Sequence, residues 1–498
     1  MGIISFIAKR YAAFRINQLN KISANAVAVQ EKLFRNLIIT ASITEFGKTH
    51  KFSTLKNYSD FKQQVPVRNY EEIKPWINKI VNGELDITWP GKPTYLSKTS
   101  GTTSGSKYIP NTAVSLQAQI TAARDALLFY IYATGNAKFL QGKMLFLSGS
   151  PALENNAAGI PVGRLSGIVN HKIPAYLKRN QIPKWKTNCI EDWETKIDKI
   201  VSESIHQDLR LISGIPPWVQ MFFEILQSKY GKTPMEVWPN LSVFVYGGVD
   251  FTPYAGLFKN QLSPTTDKIE TFPASEGFFA VQDCHPSQGL RLLLDNGIYY
   301  EFIPMTEYGR ANATRINIAD VQLAVEYALI ISTHAGLWAY DIGDTIRFIS
   351  LSPHRIEITG RTSQFISAFG EHIIVREVNQ AIQKACEICQ VRIQEFTVMP
   401  KISDILSRHD WFIEFIDLPN DLLYFEQILN DCMCKQNIYY QDLITGKILH
   451  PLKVFPLKSG ACTEYMKQAG KLGGQNKFPR IKNTEELRGF FEEYIIYI

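Results

Sequence analysis

"EYALIISTHAGLWAYDIGDTIRF" runs from Glu326 to Phe348, and its reading settles what kind of fold the chain builds. Its first eight residues are rich in apolar, aromatic and β-branched side chains and closed off by a glycine turn, which predicts a short strand. After the turn, Asp344 follows Gly343 directly, so a tight backbone would present its carboxylate at a strand end. That carboxylate has acceptors for two ribose hydroxyls, although taken alone an Asx-turn between two hairpin strands is its commoner role. Three other runs share this strand texture: "KMLFLSGS" from Lys143, "LSVFVYGG" from Leu241 and "IYYEFIP" from Ile298. Between them lie segments with apolar positions three and four residues apart, at 24–41, 113–133 and 216–231, which predict helices. Short apolar strands interleaved with helices predict an α/β fold with sheets covered by helices on both faces.

The whole chain is consistent with that class. At 498 residues it exceeds one compact core, so two or more domains are expected. With 45% hydrophobic and 20% charged residues it can bury a large interior, and no repeat or low-complexity tract suggests a solenoid. The net charge of +6 is spread among acidic neighbours without forming a basic stripe, so nucleic acid is not an expected partner. "MGIISFIAKRYAAF" puts its apolar run before its charges and reads as the start of a helix rather than a secretory signal. No uncharged apolar run reaches 18 residues, so a soluble, cytoplasmic protein with no membrane partner is expected. Seven scattered cysteines do not make a disulfide framework and point to a reducing compartment. Cys386 with Cys389, and Cys432 with Cys434, have spacings that zinc could use. The helical spacing of apolar residues around Cys386 favours core packing for them instead.

Four further segments carry groups with chemical potential. "TSGTTSGSKYIP" crowds Thr99, Ser100, Gly101, Thr102, Thr103, Ser104 and Gly105 ahead of Lys107, too polar for core. It lacks the Gly-Lys-Ser/Thr ending of a P-loop, yet a turn between a strand and a helix offers backbone N–H groups, hydroxyls and one ammonium to a polyphosphate. "ETFPASEGFFA" sets Glu276 among small residues, and a carboxylate there suits Mg²⁺ beside phosphate oxygens. Arg361 follows a glycine where the texture of the chain changes, and Lys477 sits in the Gly-flanked "GGQNKFPR". A lysine in a mobile loop can neutralise charge developing at a phosphoryl group. Each of these residues taken singly is more often plain solvated surface.

Their order along the chain is the stronger signal. "TSGTTSGSK", "PASE", "YYEFIP", "THAGLWAYDIGD", "GR" and "GGQNKFPR" resemble, in sequence, the auxin-responsive acyl-acid amido synthetases of the acyl-adenylate-forming superfamily. The resemblance runs from about residue 94 to 482. It implies an adenylate-forming fold: a large domain at 1–361 of helix-flanked sheets with a small β-barrel, and a mobile α+β lid at 362–498. It implies ATP and Mg²⁺, a carboxylic acid converted to an acyl-adenylate, and an amine, usually an amino acid, as acceptor. Residue by residue, Ser100 to Gly105 resemble the phosphate loop, flanked by Thr99 and supported by Lys107. Ala274 and Ser275 are similar to the strip beside the adenine and α-phosphate, and Glu276 to the Mg²⁺ ligand. Asp344 resembles the ribose-binding aspartate and Arg361 the hinge residue near the ribose. Lys477 is similar to the catalytic lysine of the lid, and Gly247 and Gly248 to the loop that walls the acyl pocket. Phe251, Tyr254 and Phe278 are candidate apolar walls for the acid.

Two positions depart from the plant pattern, which usually has an Arg where Ala339 or Asp341 stands and a second Ser at Ala274. With the shorter chain, this implies a microbial member with a different acid. Coenzyme A as acceptor, or a nucleotide-binding regulator without turnover, are the competing readings.

Overall fold

The run that begins at Glu326 folds as the strand Glu326–Thr333, in which every residue after the first is buried. Ile298–Pro304 lies antiparallel on one side of it and Tyr340–Leu351 on the other. These positions come from a computed structural model, which describes residues 3–100, 106–172, 178–249, 251, 254–362, 365–366, 373–401, 407–445, 449–472, 477–482 and 487–497.

Among the described residues the three strands belong to a twelve-stranded sheet. Its antiparallel part is built from Ile316–Asn317, Ile298–Pro304, Glu326–Thr333, Tyr340–Leu351, His354–Arg361, Leu290–Leu292, Phe278–Gln282 and Asp267–Pro273. Val243–Gly247, Leu209–Ser213, Lys143–Phe146 and Gln181–Ile182 continue it as parallel strands.

Helices form where the spacing predicts them, at Ala26–Ala41, Ala113–Thr134 and Pro216–Tyr230. Thr112 caps the second by accepting from the Ser115 N–H, and Gly135 ends it in the left-handed conformation. Its residues Ala122, Ala126 and Phe129 share one core with Ala12, Ile16 and Leu19 of Ile3–Ala24 and with Val243, Ile269 and Val281 of the sheet. Phe34, Leu37 and Ile38 of Ala26–Ala41 share another with Tyr299, Ala328 and Ile330. Among the described residues, no helix is long and apolar enough to cross a membrane.

By compactness the chain forms two units: Met1–Gly248 with Leu262–Ile358, and Val249–Gln261 with Thr359–Ile498. The backbone therefore passes between units three times, after residues 248, 261 and 358. In the second unit, Ile393–Lys401, Arg408–Phe415 and Lys453–Leu457 form a three-stranded sheet. Side chains alternate along these strands. Phe396, Val398, Trp411 and Ile413 pack with Val378 and Ile382 of Val375–Cys389 and with Phe425 and Leu429 of Leu422–Gln436. Met399, Phe412 and Leu457 join Cys462, Leu487 and Phe491 in a separate cluster. Glu414, buried, accepts from the Gly460 and Cys462 N–H groups, placing a negative charge at the start of helix Ala461–Gln468.

Candidate active site

The segment around Glu276 is the tip of a hairpin. Asp267–Pro273 and Phe278–Gln282 run antiparallel with Pro273 opposite Phe278, and Ala274 and Gly277 exchange backbone hydrogen bonds of 2.7 and 3.3 Å across the turn. A Cβ at Gly277 would come within 2.5 Å of the Ile298 side chain, so a residue without one lets the tip close against its neighbour. Ser275 is buried, whereas Ala274 and Glu276 are half-buried. Beside the hairpin, Val243–Gly247 runs parallel to Asp267–Pro273 with Gly247 opposite Thr271. A Cβ on Gly247 would run into the Thr271 carbonyl, and Gly248 has φ +80°, so both positions need glycine. Gly247, Gly248 and the tip at 274–276 thus gather at the carboxyl ends of adjacent parallel strands, where open α/β sheets take their ligands.

Lys107 reaches this region from a second hairpin. Tyr95–Ser100 pairs with Ser106–Asn111, with Thr99 opposite Lys107 and Ser100 opposite Ser106. Gly101, Thr102, Thr103, Ser104 and Gly105 lie outside the described residues. The expected strand–turn–helix is corrected here: a strand follows Gly105, and the helix begins only at Ala113. Pro110 biases the residue before it towards extended backbone, and buried Ile109 fastens the strand to the core.

The Lys107 ammonium stands 5.1 Å from the centroid of the Tyr70 ring, and the Tyr108 N–H donates to the Tyr70 hydroxyl at 2.8 Å. Burial pushes the Tyr70 phenol above its ordinary range, and the negative charge of Glu276 adds to that shift. Tyr70, a residue the sequence reading passed over, thus lies under the Lys107 ammonium and within reach of the Glu276 charge. The available signal was the capping box of Asn69 and Glu72, which places Tyr70 in the first turn of helix Tyr70–Val81. One carboxylate and one ammonium are a donor set that suits a magnesium-bound phosphate group.

Asp344 lies inside the strand Tyr340–Leu351, which corrects its expected place at a strand end. Gly343, with φ +80°, donates its N–H to Asp341 Oδ1 at 2.8 Å. The register then shifts from Ile330 opposite Asp341 to Ala328 opposite Thr345, so the glycine makes a bulge and pairing resumes beyond it. The departure from the plant pattern at Ala339 or Asp341 lies beside the same bulge, whereas that at Ala274 is at the hairpin tip. Ala339 is fully buried at φ +45°, and its carbonyl accepts from the Arg68 N–H, leaving no space for a long side chain. Asp341 accepts from the Tyr308 hydroxyl at 2.5 Å.

Arg361 and Lys477 belong to the second unit. Arg361 is exposed at the end of strand His354–Arg361, and Lys477 is exposed at the start of the described strip 477–482. Farther along that strip, the Arg480 carbonyl accepts from Val398 N–H at 3.0 Å and Lys482 N–H donates to the Val398 carbonyl at 2.9 Å. The Arg480 guanidinium donates to the Tyr254 hydroxyl at 2.8 Å, ion-pairs with Glu395, and lies 4.5 Å from the Phe396 ring centroid. Tyr254 in turn donates to Glu395 Oε2 at 3.1 Å. Of the candidate acyl-pocket walls, Phe278 packs in a core cluster of the first unit, whereas Tyr254 belongs to the second.

The four paired cysteines pack into or against the second unit's core. Burial pushes the Cys386 thiol up to about 12 and raises those of Cys389, Cys432 and Cys434, which disfavours the thiolates zinc requires.

Comparison with known proteins gives this geometry a lineage. The GH3 family N-terminal, central and C-terminal domains match residues 15–191, 291–361 and 376–486. The indole-3-acetic acid-amido synthetase GH3.3 of Arabidopsis thaliana is 22% identical, with 93% of this chain and 90% of the relative aligned. The solved structure of the AtGH3.15 acyl acid amido synthetase in complex with 2,4-DB superposes with a TM-score of 0.81 at 17% identity, over 97% of this chain and 96% of that one. A 2-hydroxyisobutyryl-CoA ligase in the postadenylation state superposes with a TM-score of 0.57 at 11% identity, over 96% and 90%. The matched domains cover most of the chain in the family's own order, and the chain belongs to the GH3 family, with the two-domain adenylate-forming fold.

Proposed function

We propose that this protein is an ATP-dependent ligase that adenylates a carboxylic acid and then joins the acyl group to an amine, an amino acid by analogy with its relatives, to form an amide. The observation that carries this reading is the gathering of Gly247, Gly248 and the hairpin tip bearing Glu276 at the carboxyl ends of adjacent parallel strands, with Lys107 lying over Tyr70. A carboxylate is a poor electrophile because oxide is a hopeless leaving group. Adenylation replaces that oxide with AMP and splits one hard step into two easier ones.

Within this reading Lys107 and the Thr99–Gly105 segment hold the phosphates, and Ala274 and Ser275 line the adenine and α-phosphate. Asp344 and Arg361 accept the ribose, while Gly247 and Gly248 border the acid. Glu276 would hold Mg²⁺, whose charge offsets that of the phosphate oxygens. Lys477 stabilises the charge that builds on the phosphoryl group during adenylation, and residues 362–498 act as the lid that delivers it.

The test is exchange of labelled pyrophosphate into ATP, dependent on added acid, across a broad acid panel. Acid-dependent exchange is expected. Its absence with every acid, in protein that binds ATP, overturns the proposal. Mass analysis of products formed with amino acids or with coenzyme A as acceptor then separates amide from thioester formation.

A further inference from the structure

We propose that Arg480 is a positioning residue that fastens the segment 254–261, which carries the candidate acid-pocket wall Tyr254, and the strip carrying Lys477 to one strand, so that Tyr254 and the adenylating lysine move as a single piece. The inference rests on the ligase reading for its catalytic consequence, though not for the mechanical coupling.

The argument begins with where residues 249–261 belong. Gly248 ends in the first unit, Leu262 resumes there, and the segment between them packs with the second unit. Tyr254, 3% exposed, is what the second unit grips. Its hydroxyl takes a hydrogen bond from Arg480 and gives one to Glu395, while Arg480 and Glu395 pair directly, so the three groups close on themselves. Phe396 lies against the guanidinium on the same strand, Ile393–Lys401. Two residues farther along, Val398 holds the backbone of Arg480 and Lys482 on both sides. One short stretch of strand, 395–398, therefore anchors both segments.

A half-buried arginine clamped in this way has few alternative rotamers, and Lys477 lies only three residues before it in a strip that contains Pro479. An acid that unseats 254–261 would then displace Lys477 too. Arg480 thus conveys the fit of the acid to the placement of the lysine, without touching either reactant.

The experiment compares wild type with Arg480→Gln, Arg480→Lys, Lys477→Ala and the double variant Arg480→Gln/Lys477→Ala. Arg480→Gln should lower kcat of pyrophosphate exchange about tenfold, roughly the effect of one lost charge-assisted contact, with KM for ATP little changed. Arg480→Lys should restore only part of it, and amide formation from supplied acyl-adenylate should keep its rate. The double variant should exchange no more slowly than Lys477→Ala alone. Hydrogen exchange, which needs no substrate, should speed up together in peptides 254–261 and 477–482 of Arg480→Gln, with 375–389 unchanged as a control for folding. Loosening of 477–482 alone, additive losses in the double variant, or full exchange activity in Arg480→Gln would overturn the inference. A wild type that exchanges with no acid overturns the ligase reading instead, and the peptide result still decides the coupling.

Discussion

Two tyrosines, one in each unit, each have a cation and a glutamate near them, and the two groupings differ in how far water reaches them. Around Tyr70 the lysine lies over the ring, the hydroxyl accepts from a backbone N–H, and Glu276 acts through its charge. Around Tyr254 the guanidinium, hydroxyl and carboxylate are all directly bonded to one another. In the first, the side chains of Lys107 and Glu276 keep part of their surface in water, whereas the Arg480 and Glu395 side chains are each only 12% exposed. A partly solvated set can rearrange around an incoming triphosphate. A closed set resists rearrangement and serves to hold backbone in place, because opening it leaves buried polar groups without partners.

The contrast is broken most severely at the residue each grouping is meant to serve. Lys477→Ala should reduce adenylate formation by about 10² to 10³, the usual cost of losing a donor to developing charge. Amide formation from supplied acyl-adenylate should stay near the wild-type rate. Equal loss in both half-reactions would show that the lysine has no special tie to the first.

Changing the open grouping should have a smaller and differently shaped effect. Glu276→Ala should raise the Mg²⁺ concentration needed for half-maximal exchange by about tenfold, close to 1.4 kcal/mol of binding. A metal titration that superimposes on the wild type would remove Glu276 from the site. Changing the closed grouping should alter stability more than chemistry. Tyr254→Phe keeps the ring and deletes both hydroxyl hydrogen bonds, which should cost about 1–2 kcal/mol in denaturant unfolding of the second unit. An unchanged midpoint would mean that the ring alone holds the segment.

Much of the fold was legible because it is written locally. Ile298–Pro304, Glu326–Thr333 and the helix Ala113–Thr134 announce themselves through composition and periodicity, and they form where the pattern puts them. The misreadings share one physical cause. Ser106–Asn111 is polar enough to pass for a loop, and it is a strand because Ile109 has a core to enter and Tyr95–Ser100 to pair with. Asp344 looked terminal because a glycine precedes it, but the neighbouring strand carries the pairing past the bulge. Tyr70 and Lys107 are 37 positions apart, and no local pattern reports their meeting. The same holds for Arg480 and Tyr254, separated by 226 positions. Motif order marks the residues that carry the chemistry, whereas their partners are products of tertiary packing.

The three passages of backbone between the units bear on how this protein can be taken apart. A fragment starting at Thr359 would contain every residue of the tail yet lack Tyr254 and Phe258, both buried in the intact second unit. Such a fragment would be left with an empty socket lined by Arg480 and Glu395. Exchanging tails between relatives, in the laboratory or by recombination, would transplant a keyhole without its key. Viable chimeras should be those in which the short inner stretch is swapped along with the end of the chain.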